Sequence, residues 1–169
     1  KAAAWSDNAV KGCKRFLDRV WNLHEGDVAE GETYSAKNES AIHKAIKKVS
    51  EDIEAMKFNT AIATLMALVN DFYANGASRG DMKALLLMLS PFAPHMVEEL
   101  WETLGFAKAR GGMACEQGWP AYDESKTMDA EVTIAVQVCG KMRGTIQVPM
   151  DSEEETVAAA AQADAKVAR

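Results

Sequence analysis

The chain has 169 residues, of which 48% are hydrophobic and 26% charged, and its formal net charge is −6 at pH 7. This composition excludes an intrinsically disordered chain and suffices for one domain with a buried core, or one domain plus a fragment. The first residues lack the layout of a signal peptide, and no apolar run approaches the roughly 18 residues that span a membrane. We therefore expect a soluble, cytoplasmic protein without a membrane partner. The acidic balance argues against a surface that binds nucleic acid everywhere, but it allows a local basic face.

The first half of the sequence is predicted to be helical. Apolar residues recur at spacings of three and four from Trp5 to His24 and again from Lys37 to Met56, on either side of the acidic connection HEGDVAEGETYS. The next helix is NTAIATLMALVNDFYA, with Asn59 as its N-cap and Asn75-Gly76 as its stop. Because it is apolar on most of its circumference, we expect this third helix to lie deepest in a bundle.

Two more helices meet in the stretch LSPFAPHMVEELWETLG. The apolar run DMKALLLMLS is a short helix that Pro91 closes, since the residue before a proline is pushed out of the helical region. Pro94 suits the first turn of the following helix, and Gly105 suits its end. The buried stripe of that helix is predicted to be Val97, Leu100, Trp101 and Leu104.

From Glu131 the hydrophobic period changes from 3.6 to 2. The segment VTIAVQVCGKMRGTIQVP alternates on both sides of Cys139-Gly140, which is typical of a β-hairpin, and Ser152 with Glu155 forms a capping box for a last helix. The predicted fold is mainly α: a bundle of about five helices over residues 1–120, a linker at 121–130, and a ββα unit at 131–169. Because two strands need further partners to be stable in water, we expect this unit to be incomplete.

His95, Glu98 and Glu99 could be taken for a catalytic or metal site, since they share one patch of a helix. An H-x-x-E-H zinc motif would need a histidine where Glu99 stands, and His24 and His43 lack ligand-like spacing. The favoured interpretation is structural, with the two glutamates near the positive end of the helix macrodipole. A metal-dependent hydrolase is the least favoured alternative. We predict no catalytic residue and no metal ligand, because the sequence also lacks a nucleophile elbow, a P-loop and a dinucleotide fingerprint.

A set of basic residues is the remaining candidate site. Four lie on the face of the first helix opposite its apolar stripe, and two follow the hairpin turn. They are Lys11, Lys14, Arg15 and Arg19 in the helix, and Lys141 and Arg143 in the hairpin. Phosphate binding needs such a row of charges and no base-specific partners. From composition alone a solvated polar face, neutralised by neighbours such as Asp18, is the favoured interpretation.

Several stretches resemble known proteins. LSPFAPHMVEELWETLG resembles the helix junction in the anticodon-binding domains of class I aminoacyl-tRNA synthetases for leucine, isoleucine, valine and methionine. Three others, WSDNAVKGCKRFLDRVWNL, HKAIKKVSEDIEAMKFNTAIATLMALVN and VTIAVQVCGKMRGTIQVP, resemble bacterial leucyl-tRNA synthetases, occur in the family's order and, with QGWPAYDE, extend the resemblance over nearly the whole chain. One departure is Cys139, where the family's hairpin usually has Asn; this puts the type of turn in doubt.

The resemblance implies an anticodon-binding-type helical bundle followed by the start of a small C-terminal domain. In that family the full enzyme joins leucine to its tRNA with ATP and Mg²⁺, on catalytic and editing domains that lie upstream. The implied function is a tRNA-docking module without cofactors of its own, whose partners are tRNA(Leu) and those domains. Our hypothesis is that much of the contact with the tRNA backbone is made by Lys11, Lys14, Arg15 and Arg19, with Lys141 and Arg143 as second choices. The alternative is a purely structural or protein-interaction bundle that binds no RNA in isolation.

Overall fold

A computed structural model describes residues 7–26, 28–127, 131–138, 141–149, 152 and 154–163. These residues form two compact units, which divide after Thr127. The first unit is helical, and the second contains a β-hairpin and one helix. None of the helices among the described residues is long and apolar enough to cross a membrane.

Among its described residues, the helical unit has five helices of ten or more residues and one short helix. They are α1 (Asp7–Leu23), α2 (Glu39–Glu54), α3 (Phe58–Asn75), α4 (Arg79–Leu89), α5 (Pro94–Thr103) and α6 (Phe106–Arg110). Two 3-10 turns follow at Ala114–Glu116 and Glu124–Lys126. The predicted bundle of about five helices is confirmed, and the short helix α6 follows the five longer ones.

α4 is the most deeply buried helix of the described bundle. Nine of its eleven residues are buried, whereas α3 buries five of its eighteen. The prediction that α3 lies deepest is therefore wrong. An apolar circumference allows a helix to be buried, but whether it is fully enclosed depends on how the neighbouring helices pack around it. Asn59 is also not an N-cap, because α3 already begins at Phe58. Gly76 follows the end of α3 with a φ of 80°, as a stop requires.

The N-terminus of α4 is fixed by a buried polar cluster. Ser78 Oγ accepts a hydrogen bond from the backbone N–H of Asp81, and Asp81 Oδ2 accepts one from the backbone N–H of Ser78, both at 3.1 Å. The same carboxylate accepts hydrogen bonds from Ser35 Oγ at 2.6 Å and from Asn38 Nδ2 at 2.9 Å. This capping box therefore also joins α4 to the segment that leads into α2.

The junction between α4 and α5 follows the sequence prediction in its position, since α4 ends at Leu89, ahead of Pro91. The predicted reason is wrong, because Ser90 keeps a helical φ of −51° and ψ of −41° next to the proline. Pro94 occupies the first turn of α5. Gly105 lies between the end of α5 and the start of α6 and has a φ of 76°. The four predicted stripe residues are all buried: Val97, Leu100, Trp101 and Leu104. The stretch LSPFAPHMVEELWETLG is thus a helix-to-helix joint.

Residues 121–127 pack against α2. The backbone N–H of Asp123 donates to His43 Nδ1 at 3.1 Å, and Lys126 pairs with Glu39 at 2.6 Å. The helical unit thus continues past residue 120, where the sequence pattern places the start of a linker. The pattern does not show this because the partners of the segment lie about eighty residues earlier in the chain.

In the second unit, β1 (Glu131–Val138) pairs antiparallel with β2 (Lys141–Pro149), with a bulge between Val136 and Gln137. Ile146 and Val148 of β2 are buried, and α7 (Glu154–Ala163) packs on that strand. The predicted hairpin and last helix are both present. The predicted turn at Cys139-Gly140, and the side chain of Glu155 in the predicted capping box, lie outside the part of the structure that is described.

Candidate nucleic-acid interface

The outer face of α1 carries the predicted basic residues. The inner stripe of the helix is buried at Phe16, Val20 and Leu23, and α1 packs on α3. Residues on the opposite side of the helix are therefore directed toward solvent. Lys11, Lys14 and Arg15 are exposed there, and we call these three residues the α1 basic face.

Lys14 makes an ion pair that is accessible to solvent. Its Nζ lies 2.7 Å from Asp18 Oδ2, and the two side chains keep 75% and 54% of their exposure. Exposed pairs of this kind contribute little to stability, typically about 0.3–0.5 kcal/mol within a helix. The Lys14 ammonium can therefore exchange its carboxylate for a phosphate at little cost.

Arg19 plays a different part from the other three helix residues. Its Nη1 donates to Asn70 Oδ1 at 2.6 Å, and its guanidinium lies 4.6 Å from the centre of the Tyr73 ring. Tyr73 Oη in turn donates to the backbone carbonyl of Arg19 at 2.9 Å. Arg19 thus holds α1 on α3, and its side chain is less available for a ligand than sequence spacing suggests. Asn70 and Tyr73 were not predicted; the signal for them is an asparagine and a tyrosine three residues apart, which places both on one face of α3.

Lys141 and Arg143 lie at the start of β2. Lys141 pairs with Val138 of β1, whereas Arg143 lies at the register shift and has no partner in the register. The side chains of both residues lie outside the described part of the structure. Their proposed contact with tRNA stays a prediction.

Two basic residues of α2, Lys47 and Lys48, make contacts that hold the helical unit together. Lys47 pairs with Glu124 at 2.5 Å, and this hydrogen bond is the main reason that the pKa of Lys47 is raised. Lys48 pairs with Asp52 at 2.5 Å. These contacts fix the 121–127 segment and the helix itself. The α1 basic face is therefore the better candidate for a ligand surface.

His95, Glu98 and Glu99 border a surface depression of about 620 Å³. The carboxylate of Glu98 is already engaged in hydrogen bonds within the protein, because its two oxygens accept the backbone N–H groups of Ala114 and Cys115 at 2.8 and 2.9 Å. Burial, followed by the hydrogen bond with Glu98, raises the pKa of the Cys115 thiol above its ordinary value, which disfavours a nucleophilic thiolate. No group of three or more His, Cys, Asp or Glu side chains that could hold a metal ion occurs within the described ranges.

Comparison with known proteins decides the family. Residues 38–158 match the family described as the anticodon-binding domain of tRNA ligase. The chain belongs to this family. The match covers α2 to α6, the hairpin and the first part of α7. The anticodon-binding domain assignment thus agrees with the resemblance carried by the helix-to-helix joint.

Individual relatives show which kind of tRNA ligase the chain is similar to. The chain is 48% identical over 158 residues to a leucine–tRNA ligase of Alkaliphilus oremlandii, covering 93% of the chain and 19% of the relative. It is 44% identical over 173 residues to that of Bdellovibrio bacteriovorus, covering 99% of the chain and 21% of the relative. The chain thus spans about a fifth of the length of these two leucine–tRNA ligases. Since the second alignment covers nearly all residues, it includes α1.

A solved structure shares the fold. The chain is similar, with a TM-score of 0.70 and 27% identity, to the leucyl-tRNA synthetase agnB2 of Agrobacterium radiobacter K84, whose crystal structure is a ternary complex with tRNA and LeuAMS. The similarity covers 98% of this chain and 24% of that one. The anticodon-binding domain fold and the order of its elements are therefore shared with a synthetase that binds tRNA.

Proposed function

We propose that this chain is the tRNA-docking part of a leucine–tRNA ligase and that it positions tRNA(Leu) through the α1 basic face. The observation that carries the proposal is the row of exposed cations on α1, in a chain whose family is the anticodon-binding domain of tRNA ligases. The related synthetase in complex with tRNA supports the same partner.

The spacing of these cations suits a nucleic-acid backbone. Lys11 and Arg15 are four residues apart, which places them about 6 Å apart along the helix axis, with Lys14 beside them. Cations in such a row bind phosphates by displacing counterions, and phosphate contacts fix the position of a nucleic acid without reading its sequence. The proposed role is therefore placement of the tRNA.

The chemistry is assigned to other parts of the ligase. Leucylation, with its ATP and Mg²⁺, and editing belong to regions outside the segment that this chain matches. We further propose that the ligase acts in the cytoplasm. The helical unit contributes binding energy and orientation to the reaction.

The test is a charge reversal in a full-length leucine–tRNA ligase that carries this segment. Lys11→Glu combined with Arg15→Glu should weaken tRNA(Leu) binding at least about tenfold and should reduce the slope of log affinity against log salt by about 2, roughly one per lost phosphate contact. Lys37→Glu combined with Lys108→Glu is the matched control, because these two exposed residues lie outside α1. If the two double variants bind tRNA alike, the α1 basic face is not the docking surface.

A further inference from the structure

Two further basic residues border a cavity at the surface of the helical unit, and no residue of the α1 basic face lines it. The cavity has a volume of about 230 Å³ and is bordered by α4, by the end of α6 and by residues 117–121. Its polar lining includes Tyr34, Lys83, Trp101 and Arg110. A water molecule occupies about 30 Å³ in the liquid, so the cavity has room for an anion of several atoms.

Two cations share this cavity with too few carboxylates. Arg110 Nη2 pairs with Glu32 at 2.7 Å, whereas Lys83 has no ion-pair partner within the described ranges. Burial lowers the pKa of Lys83 and the positive charge of Arg110 lowers it further, whereas the carboxylate of Glu32 raises it. The single Glu32 carboxylate thus faces two cations in a partly desolvated space, and a bound anion would balance the remaining positive charge.

Neutral donors complete the lining. The indole N–H of Trp101 is buried and has no acceptor within the described structure, which is costly for a donor. Burial raises the pKa of Tyr34, as does Asp81, so its hydroxyl stays protonated and can donate. Trp101 also borders the depression beside Glu98. Gln117 also lines the cavity, but its amide nitrogen already donates to the carbonyls of Gly111 and Met113 at 3.1 and 3.0 Å.

We propose that this cavity binds a phosphate group, with Lys83 and Arg110 as its cationic ligands. The residues that carry these donors belong to α4, α5, α6 and the segment before α2, so four separate elements border the cavity, which suits the several oxygens of a tetrahedral anion. Arg110 contributes a planar set of N–H groups and Lys83 a compact charge, the usual pair of side chains around phosphate. The proposal does not depend on tRNA docking by α1.

The first experiment is a titration of the chain with inorganic phosphate by calorimetry, at constant ionic strength maintained with sodium chloride. We expect saturable binding that Lys83→Gln weakens about tenfold or more, because a charged hydrogen bond is lost. Lys83→Arg should bind within a few fold of the unchanged chain. Lys108→Gln removes the same charge from an exposed position in α6 and should bind normally. Circular dichroism confirms that each variant is folded.

The results of this titration either support or overturn the proposal. Absence of phosphate binding, or equal binding by the Lys83→Gln and Lys108→Gln variants, would overturn the proposal. A second titration with tRNA(Leu) identifies the source of the phosphate. If Lys83→Gln weakens tRNA binding and phosphate competes with tRNA, the site holds an RNA phosphate; if tRNA binding is unchanged, it holds a free phosphate.

Discussion

The carboxylate of Glu98 accepts the backbone N–H of Ala114 at 2.8 Å, sixteen residues further along the chain. The other carboxylate oxygen accepts the N–H of Cys115 at 2.9 Å. Glu98 therefore caps the start of the 3-10 segment Ala114–Glu116 and connects this segment to α5. A glutamate that sequence spacing groups with His95 as a possible metal ligand is a bridge between two segments.

Replacing Glu98 with Ala should lower the free energy of unfolding by about 2 kcal/mol, since two charge-assisted hydrogen bonds to backbone are lost. Urea denaturation measures the change. Glu99→Ala is the control, because Glu99 is exposed on the same helix and its loss should cost less than about 1 kcal/mol. A loss of bound metal without a loss of stability in Glu98→Ala would contradict the structural role.

The features that sequence predicts well here are local. Pro94 and Gly105 act through their own backbone preferences, and the alternation in β1 and β2 follows from strand geometry, so no distant partner is needed to predict them. The 121–127 segment is a contrasting case. Its partners His43 and Glu39 lie far away in sequence, and nothing in the local pattern indicates that it packs on α2.

The candidate site shows the same division. Helical spacing correctly places Lys11, Lys14 and Arg15 on the solvent side of α1. It could not show that Arg19 is bound to α3, nor that Lys83 and Arg110 meet in one cavity, because each depends on contacts between elements separated by many residues. Hydrophobic periodicity defines faces of single elements, whereas a site is formed where the faces of several elements meet.

Arg19 should contribute to stability, unlike its neighbour in the basic row. Arg19→Ala removes the hydrogen bond to Asn70 and the contact with the Tyr73 ring, and should lower the free energy of unfolding by about 1 kcal/mol. Arg15→Ala should change it by less than about 0.5 kcal/mol, because Arg15 is exposed. Equal denaturation midpoints for the two variants would show that Arg19 does not hold α1 on α3.

Gly80 should tolerate no side chain. A Cβ at this position would lie 2.4 Å from the carbonyl oxygen of Thr33 and 2.6 Å from that of Glu32, so α4 would have to move away from the backbone on which it packs. Gly80→Ala should therefore cost about 3 kcal/mol, at the upper end of the range for overpacking. Gly12→Ala is the matched control.

In that control no described atom lies within 4 Å of the added Cβ, and Gly12 is inside α1. The variant should gain about 0.5–1 kcal/mol from helix propensity. Thermal denaturation should therefore shift in opposite directions for the two glycines. A shift of the same sign in both would refute the steric argument.

Asp52 should make stability depend on pH in the acid range. The side chain is buried in α2, and the hydrogen bond from Lys48 is the main cause that holds its pKa below the ordinary value of 3.8, while burial opposes the shift. Since the folded pKa is lower than the unfolded one, the ionised carboxylate stabilises the fold above the unfolded pKa, and this contribution is lost as the pH falls through the folded pKa. Asp52→Asn should be less stable than the unchanged chain at pH 7, and the difference should shrink below about pH 3.8.

The control is Glu51→Gln, which changes an exposed neighbour on the same helix and should show no such convergence. Urea denaturation of the three proteins between pH 2.5 and 7 measures this, at roughly half-unit steps set by the width of a single titration. A difference between Asp52→Asn and the unchanged chain that stays constant or widens on acidification would show that the Asp52 carboxylate is not the group responsible.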